Sequence, residues 1–271
     1  MCTIFLATDP HPDWSLLLLG NRDEFHARPS QDCGWWPDVP GLLAGRDLQR
    51  GGIWLGVTRR GRWCATTNVR RPSAHEPPAN APSRGKLGLE FLARSQRLHD
   101  WLDRLAESAG SFPGYNLLLG EGASGYWVSN RLPLVSAAGQ SICRRLDPGI
   151  HGLSNGTLNE DWPKVREGRL RLKQLLLQQA RPEEDALLDL LLDQRTWPDA
   201  QLPDTGVGPE LERRLSALFI RGREYGTRAS TLLIREHSGR WILRERRWAP
   251  EGVPAGDSRF EFMEESQETR T

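Results

Sequence analysis

The chain is short of the features that would mark most binding classes. Its 36 basic and 35 acidic side chains almost cancel, so no surplus of charge points to nucleic acid or an anionic membrane as a partner. Of four cysteines (Cys2, Cys33, Cys64, Cys143), no two form a CxxC pair, and the six histidines make no HxxH or HxxxH pair. A zinc site is therefore not expected, and cysteines spread this widely suit a reducing cytoplasm. The start lacks a basic region and its apolar stretch is broken at Asp9-Pro10, so no secretory signal is predicted. The longest apolar run near the start, Leu16-Leu17-Leu18-Leu19, is far too short to span a bilayer. There is no internal repeat and no low-complexity block. At 271 residues the chain has the size of one large domain or two small ones, and a domain of this size needs no disulfide or metal staple.

What is present begins at position 2. Cys2 follows the initiator methionine and opens a strand-like run, Cys2-Thr3-Ile4-Phe5-Leu6-Ala7-Thr8. Loss of Met1 would leave a thiol and an α-amine on one residue. The thiolate is the nucleophilic form of cysteine, and an α-amine titrates near ~7.7–8.0, so the residue would carry both nucleophile and base. Cys2–Thr8 and Ser15–Asn21 read as strands separated by turn chemistry at Asp9 to Asp13. A long loop rich in Pro, Gly and Trp is expected over Ala27–Gln49. Within it, Trp35 and Trp36 beside Pro37 form an aromatic pair suited to lining an apolar pocket. Gly52–Thr58 and Arg62–Asn68 read as a hairpin. Residues 71–84, with four prolines, read as a loop over the site, and Ser83 as the cap of a helix running to about Ser95.

Further along, a helix is predicted at Leu98–Ser108, and strands at Tyr115–Leu119 and Gly125–Asn130. Helices are predicted at Trp162–Gln179, Pro182–Asp193 and Glu210–Leu218. Strands return at Ser230–Glu236 and Arg240–Arg247, and Arg259–Met263 reads as an edge strand in a tail that is polar from about residue 250. Strands, then helices, then strands joined by hairpins indicate an α+β fold with mainly antiparallel sheets. Apolar residues on both faces of the early and late strands suggest two stacked sheets between helical layers.

Four further clusters place polar groups at strand ends: Gly20 to Phe25, Thr66 to Arg70, His151 to Gly156 and Arg223 to Thr231. Met1-Cys2-Thr3, Asn21-Arg22-Asp23-Glu24 with Arg28-Pro29, Thr67-Asn68, Leu153-Ser154-Asn155 and Tyr225-Gly226-Thr227-Arg228 resemble, in this order, the Asn-Arg-Asp-Glu (NRDE) family, the transport and Golgi organisation protein 2 family. That family in turn resembles the cysteine N-terminal-nucleophile hydrolases. The resemblance implies one domain over residues 1–271 folded as a four-layer αββα sandwich. It implies catalytic roles for six residues. Cys2 would attack a carbonyl, with its own amine moving the proton. Asp23 would hold that amine. Arg22 and Arg228 would stabilise negative charge, and Asn68 and Asn155 would donate to the oxyanion. Asn21, Glu24, Trp35 and Trp36 would contact the substrate or ligand. The hydrolases carry Arg-Asn-x-Asp where this chain has Arg22 and Asp23 adjacent. Neighbours on a regular strand face opposite ways, so either a bulge brings the two together or only one faces Cys2.

Two functions compete at this point. One is an amidohydrolase on a small acyl amide, working through a Cys2 thioester without a cofactor or metal. The other, also implied by the resemblance, is a non-catalytic carrier of haem or of lipid or acyl-CoA, with Cys2 or a histidine such as His26 on the haem iron. Either way the expected partner is a small molecule.

Overall fold

The computed structural model describes residues 2–70, 81–131, 142–179 and 181–265; most of the predicted 71–84 loop thus lies outside the described residues. One sheet contains β1 (Cys2–His11), β2 (Trp14–Phe25), β10 (Gly149–Leu153), β11 (Tyr225–Glu236), β12 (Arg240–Ala249) and β13 (Val253–Met263), in the order β10-β1-β2-β11-β12-β13. The other runs in chain order: β3 (Ser30–Trp35), β4 (Leu42–Asp47), β5 (Leu55–Thr58), β6 (Arg62–Asn68), β7 (Tyr115–Glu121), β8 (Ser124–Ser129) and β9 (Ile142–Arg145). Every strand pairing is antiparallel. The β5–β6 and β11–β12 turns place Gly61 at φ 76° and Gly239 at φ 85°, a region that side chains resist.

Side-chain alternation builds the layers. Ile4, Leu6, Leu16, Leu18, Leu233 and Leu243 meet Leu43, Val57, Trp63 and Leu118 between the sheets. The opposite face of the first sheet, with Phe5, Leu17, Leu19 and Leu232, packs under α3 (Pro163–Gln178) and α4 (Glu184–Asp189) through Leu172, Leu187 and Leu188. The outer face of the second sheet, with Leu42, Cys64 and Leu117, packs under α1 (Arg84–Ala93) and α2 (Leu98–Ser108) through Leu87, Phe91 and Trp101. The result is the expected αββα sandwich. It also explains the uninterrupted Leu16–Leu19 run: all four are fully buried because both faces of that strand are covered. Among the described residues a short α5 (Pro209–Leu215) completes the α-helices.

Three expectations need correction. The stretch read as one loop, Ala27–Gln49, contains β3 and β4. Their alternation is hidden because the ladder slips between Gln31 and Gly34, so only Cys33 of β3 is buried. The sequence marks β10 only as a polar cluster, yet it pairs with β1 from Ile4↔Leu153 to Thr8↔Gly149. The polar tail begins with β13, six residues earlier than the predicted Arg259 start, because its first residues pair with Arg247 to Ala249 on β12 despite being exposed.

Candidate active site

Register brings the scattered clusters together. β1 pairs with β2 so that Cys2 lies opposite Arg22. On the other side of β2, Thr227 lies opposite Asp23 and Ala229 opposite Arg22. The bulge is therefore on β11, at Arg228, while β2 runs regularly through Arg22 and Asp23. Alternation continues from Leu16 and Leu18 between the sheets, and from Leu17 and Leu19 under the helices. It assigns Arg22 to the inter-sheet face with Cys2, and Asn21 and Asp23 to the helical face.

A cavity of about 480 Å³ opens at these strand ends, lined by Cys2, Arg22, Asp23, Glu24, Asn68 and Arg228 among others. Cys2 is 9% exposed. Burial pushes its thiol pKa up and the nearby Asp23 carboxylate adds to this, against the pull of the amino terminus and Arg22. A thiol held protonated in this way needs a base to become a nucleophile. Burial likewise raises the Asp23 carboxyl, opposed by the amino terminus, by Lys164 and by a hydrogen bond from Thr227. That bond runs from Thr227 Oγ1 to Asp23 Oδ1 at 2.7 Å, and Tyr225 Oη donates to the Asp23 carbonyl at 3.3 Å.

The two asparagines do not act alike. Asn155 is fully buried, and its Nδ2 donates to Asn68 O at 3.0 Å and Asn68 Oδ1 at 2.8 Å. Its amide is thus committed to Asn68. By holding Oδ1, it turns the Asn68 Nδ2 the other way, and Asn68 is the asparagine that lines the cavity. The turn carrying Asn155 is fixed by Thr67 Oγ1 on Ser154 O at 2.7 Å, and by Ser154 Oγ on Cys2 O at 3.3 Å.

The structure sets three expected contact residues apart from the cavity. Asn21 is fully buried, donating to Leu191 O and Leu218 O at 2.8 and 2.9 Å and accepting from Ser230 Oγ at 2.6 Å. Odd-numbered positions of β2 face the helices, so it ties sheet to helical layer. Trp35 carries Arg59 on its ring at 4.1 Å and meets Phe262 edge-on. Trp36 is buried beside the first helical pair and donates to Ala44 O at 2.9 Å. The slipped β3 turns both rings elsewhere, and the cavity takes Trp54 and Trp248 instead. Glu24 does line it, and lies 3.7 Å from Arg28.

Sequence reading missed two buried groups. Lys164, in the first turn of α3, is 4% exposed and donates to Leu215 O at 2.8 Å. Burial lowers its pKa to about 8, with Asp23 pulling the other way. No signal marks it, since a lysine on a helix is ordinary. Glu245 lines the cavity and is 5% exposed; its Oε1 accepts from Cys33 N at 3.0 Å, the amide freed by the slip in β3. Here a signal existed: Trp241 and Leu243 belong to the inter-sheet core, and period two puts Glu245 on the same face.

Cys2 and His26 are the lining residues with iron-ligating chemistry. Among the described residues no group of three or more His, Cys, Asp and Glu side chains is placed to hold a metal ion. No helix among them is long and apolar enough to cross a membrane.

Comparison with known proteins agrees with this architecture. A family model described as Transport and Golgi organisation 2 matches residues 1–250. The human Transport and Golgi organization protein 2 homolog is 31% identical, over 98% of this chain and 100% of that protein. The mouse Transport and Golgi organization 2 homolog is 30% identical, over 91% of this chain and 92% of that protein. Among solved structures, a mutant conjugated bile acid hydrolase from Clostridium perfringens superposes with a TM-score of 0.54 at 8% identity, covering 98% of this chain and 94% of that one. The likeness is one of fold, the N-terminal-nucleophile hydrolase fold.

Proposed function

The chain belongs to the Transport and Golgi organisation 2 family, and on that premise we propose that it is an N-terminal-cysteine amidohydrolase acting on a small acyl amide. One observation carries the reading: Cys2, Arg22, Asp23, Asn68 and Arg228, far apart in the chain, line one cavity where four strand ends converge.

Removal of Met1 frees the Cys2 amine. The amine takes the thiol proton while sulfur attacks the amide carbon. Arg22, opposite Cys2 in the ladder, favours the thiolate. The tetrahedral oxyanion accepts a hydrogen bond from Asn68 Nδ2, oriented by Asn155. Collapse breaks the C–N bond; the amine returns the proton to the departing nitrogen, leaving a thioester. Water then attacks the thioester with the same amine as base, and the carboxylic acid leaves as the thiol is restored. Asp23, on the helical side, holds the amine in place. A haem or acyl-CoA carrier has less to support it: the six lining arginines suit its propionates or phosphates, but the five carboxylates of the same lining are a poor surface for its flat or long apolar part.

Intact mass spectrometry tests the scheme. The purified protein should lack Met1 and acquire a single acetyl thioester on Cys2 from p-nitrophenyl acetate. Cys2→Ala should fold normally and acquire none. A retained methionine, or equal turnover by Cys2→Ala, would sink the proposal.

A further inference from the structure

Of the six arginines lining the cavity, four have partners; Arg84 donates to Gly114 O at 3.3 Å, and Glu24 lies 3.7 Å from Arg28. Arg28 is held by Asp47 at 2.6 Å, Arg247 by Asp32 at 3.1 Å, and Arg46 by Asp38 at 2.9 Å. Asp23 faces the helical side, and Glu245 is occupied with the Cys33 amide. Arg22 and Arg228 line the same cavity with no carboxylate at ion-pair distance among the described residues. A Cys2 thiolate supplies one negative charge, beside Arg22. Glu24 and Asp32, engaged with Arg28 and Arg247, act on the second guanidinium only from longer range, so an anion seated directly on it offsets the cost of its partial burial.

Arg228 is also prepared geometrically. It sits at the β11 bulge, and among the described residues its hydrogen bonds run from Nη1, which donates to Phe25 O at 3.2 Å and to Arg28 O. The anchored nitrogen fixes the guanidinium plane. Nε and Nη2 form the edge that grips a carboxylate through two parallel bonds.

We infer that Arg228 seats an anionic group of the substrate, so that the amide this site takes is a small carboxylate-bearing molecule of the N-acyl amino acid type rather than a long-chain acyl amide. This rests on the hydrolase reading and adds the substrate class to it. An aliphatic chain laid along the arginines and carboxylates would desolvate them without replacing their hydrogen bonds, offsetting what its own burial contributes.

Calorimetric titration of full-length Cys2→Ala, which cannot turn over, tests the inference. Three probes are used: N-acetylglycine, its neutral isostere N-acetylglycinamide, and N-palmitoylglycine. N-acetylglycine should bind at least about tenfold more tightly than the neutral amide, and its affinity should fall with added salt. Arg228→Gln, introduced with Cys2→Ala, should erase the preference. Arg228→Lys, which keeps the charge without the fork, should retain part of it, and serves if the glutamine variant does not fold. Equal binding of the two acetyl probes, a preference that survives Arg228→Gln, tighter binding of N-palmitoylglycine, or no binding of N-acetylglycine at millimolar concentration overturns the inference. Since binding is read without turnover, a protein that prefers the anion yet never forms a thioester refutes hydrolysis alone.

Discussion

Replacing Lys164 by methionine probes the charge behind the cavity wall. Lys164 is buried among Asp23, Glu212, Arg70 and Cys2, and its pKa falls from the ordinary 10.5 to about 8, chiefly through burial. An unfolded chain keeps the ordinary value. Between these two values the unfolded state binds more protons than the folded one, so stability rises with pH there; below about 8 both states are protonated and the burial cost is paid in full. From pH ~7 to ~9.5 these two values give the native state a gain of about 2 kcal/mol. Methionine fills the same volume but cannot titrate. Groups titrating in both proteins cancel in the difference. Urea unfolding of both proteins at a series of pH values gives the comparison, read from midpoints at constant m. The wild type should gain about 2 kcal/mol on the variant over this range. Parallel stability curves would show that Lys164 is not a buried charge facing Asp23, and would remove the support assigned to that carboxylate.

Other substitutions follow from the same geometry. Glu212→Ala should cost about 3–5 kcal/mol in thermal unfolding, because it strands the buried Arg70 that it holds at 3.0 Å; a loss under about 1 kcal/mol would contradict that pairing. Asn155→Ala removes both bonds to Asn68, so thioester formation should slow about 100-fold while Asn68→Ala added to it brings little further loss; additive losses would mean that Asn155 acts independently of Asn68. Glu245→Gln keeps an acceptor for the Cys33 amide and should be nearly neutral, whereas Glu245→Ala should lower stability by about 1–3 kcal/mol. Gly168→Ala would put a Cβ 2.0 Å from Phe5 Cζ, and should destabilise the α3 contact by about 1–3 kcal/mol.

Much of this was legible from residue order. The hairpins at Cys2–Asn21 and Ser230–Arg247 show as apolar runs split by turn residues. Both faces of those runs are apolar, which already calls for covering layers on each side. The clusters at Asn21 to Glu24, Thr67-Asn68, Ser154-Asn155 and Thr227-Arg228 stand out as polar groups at the ends of apolar strands, although Asn21 serves to tie the sheet to the helical layer. Trp35 and Trp36 misled: aromatic composition carries no direction, and a one-residue slip in β3 decided where their rings went. Lys164 left no trace, since its importance lies in what faces it across the layer.

Composition, periodicity and turn chemistry, all local properties, determined an α+β sandwich headed by a cysteine and supplied with polar strand ends. Tertiary structure alone decided which of those polar groups meet. Arg22 and Asp23 face opposite ways because the irregularity falls on β11, about two hundred residues away, and leaves β2 regular, and the pairing of Asn155 with Asn68 spans 87 positions. Register and facing depend on which strands lie side by side, a long-range outcome of closing the core that no local pattern encodes.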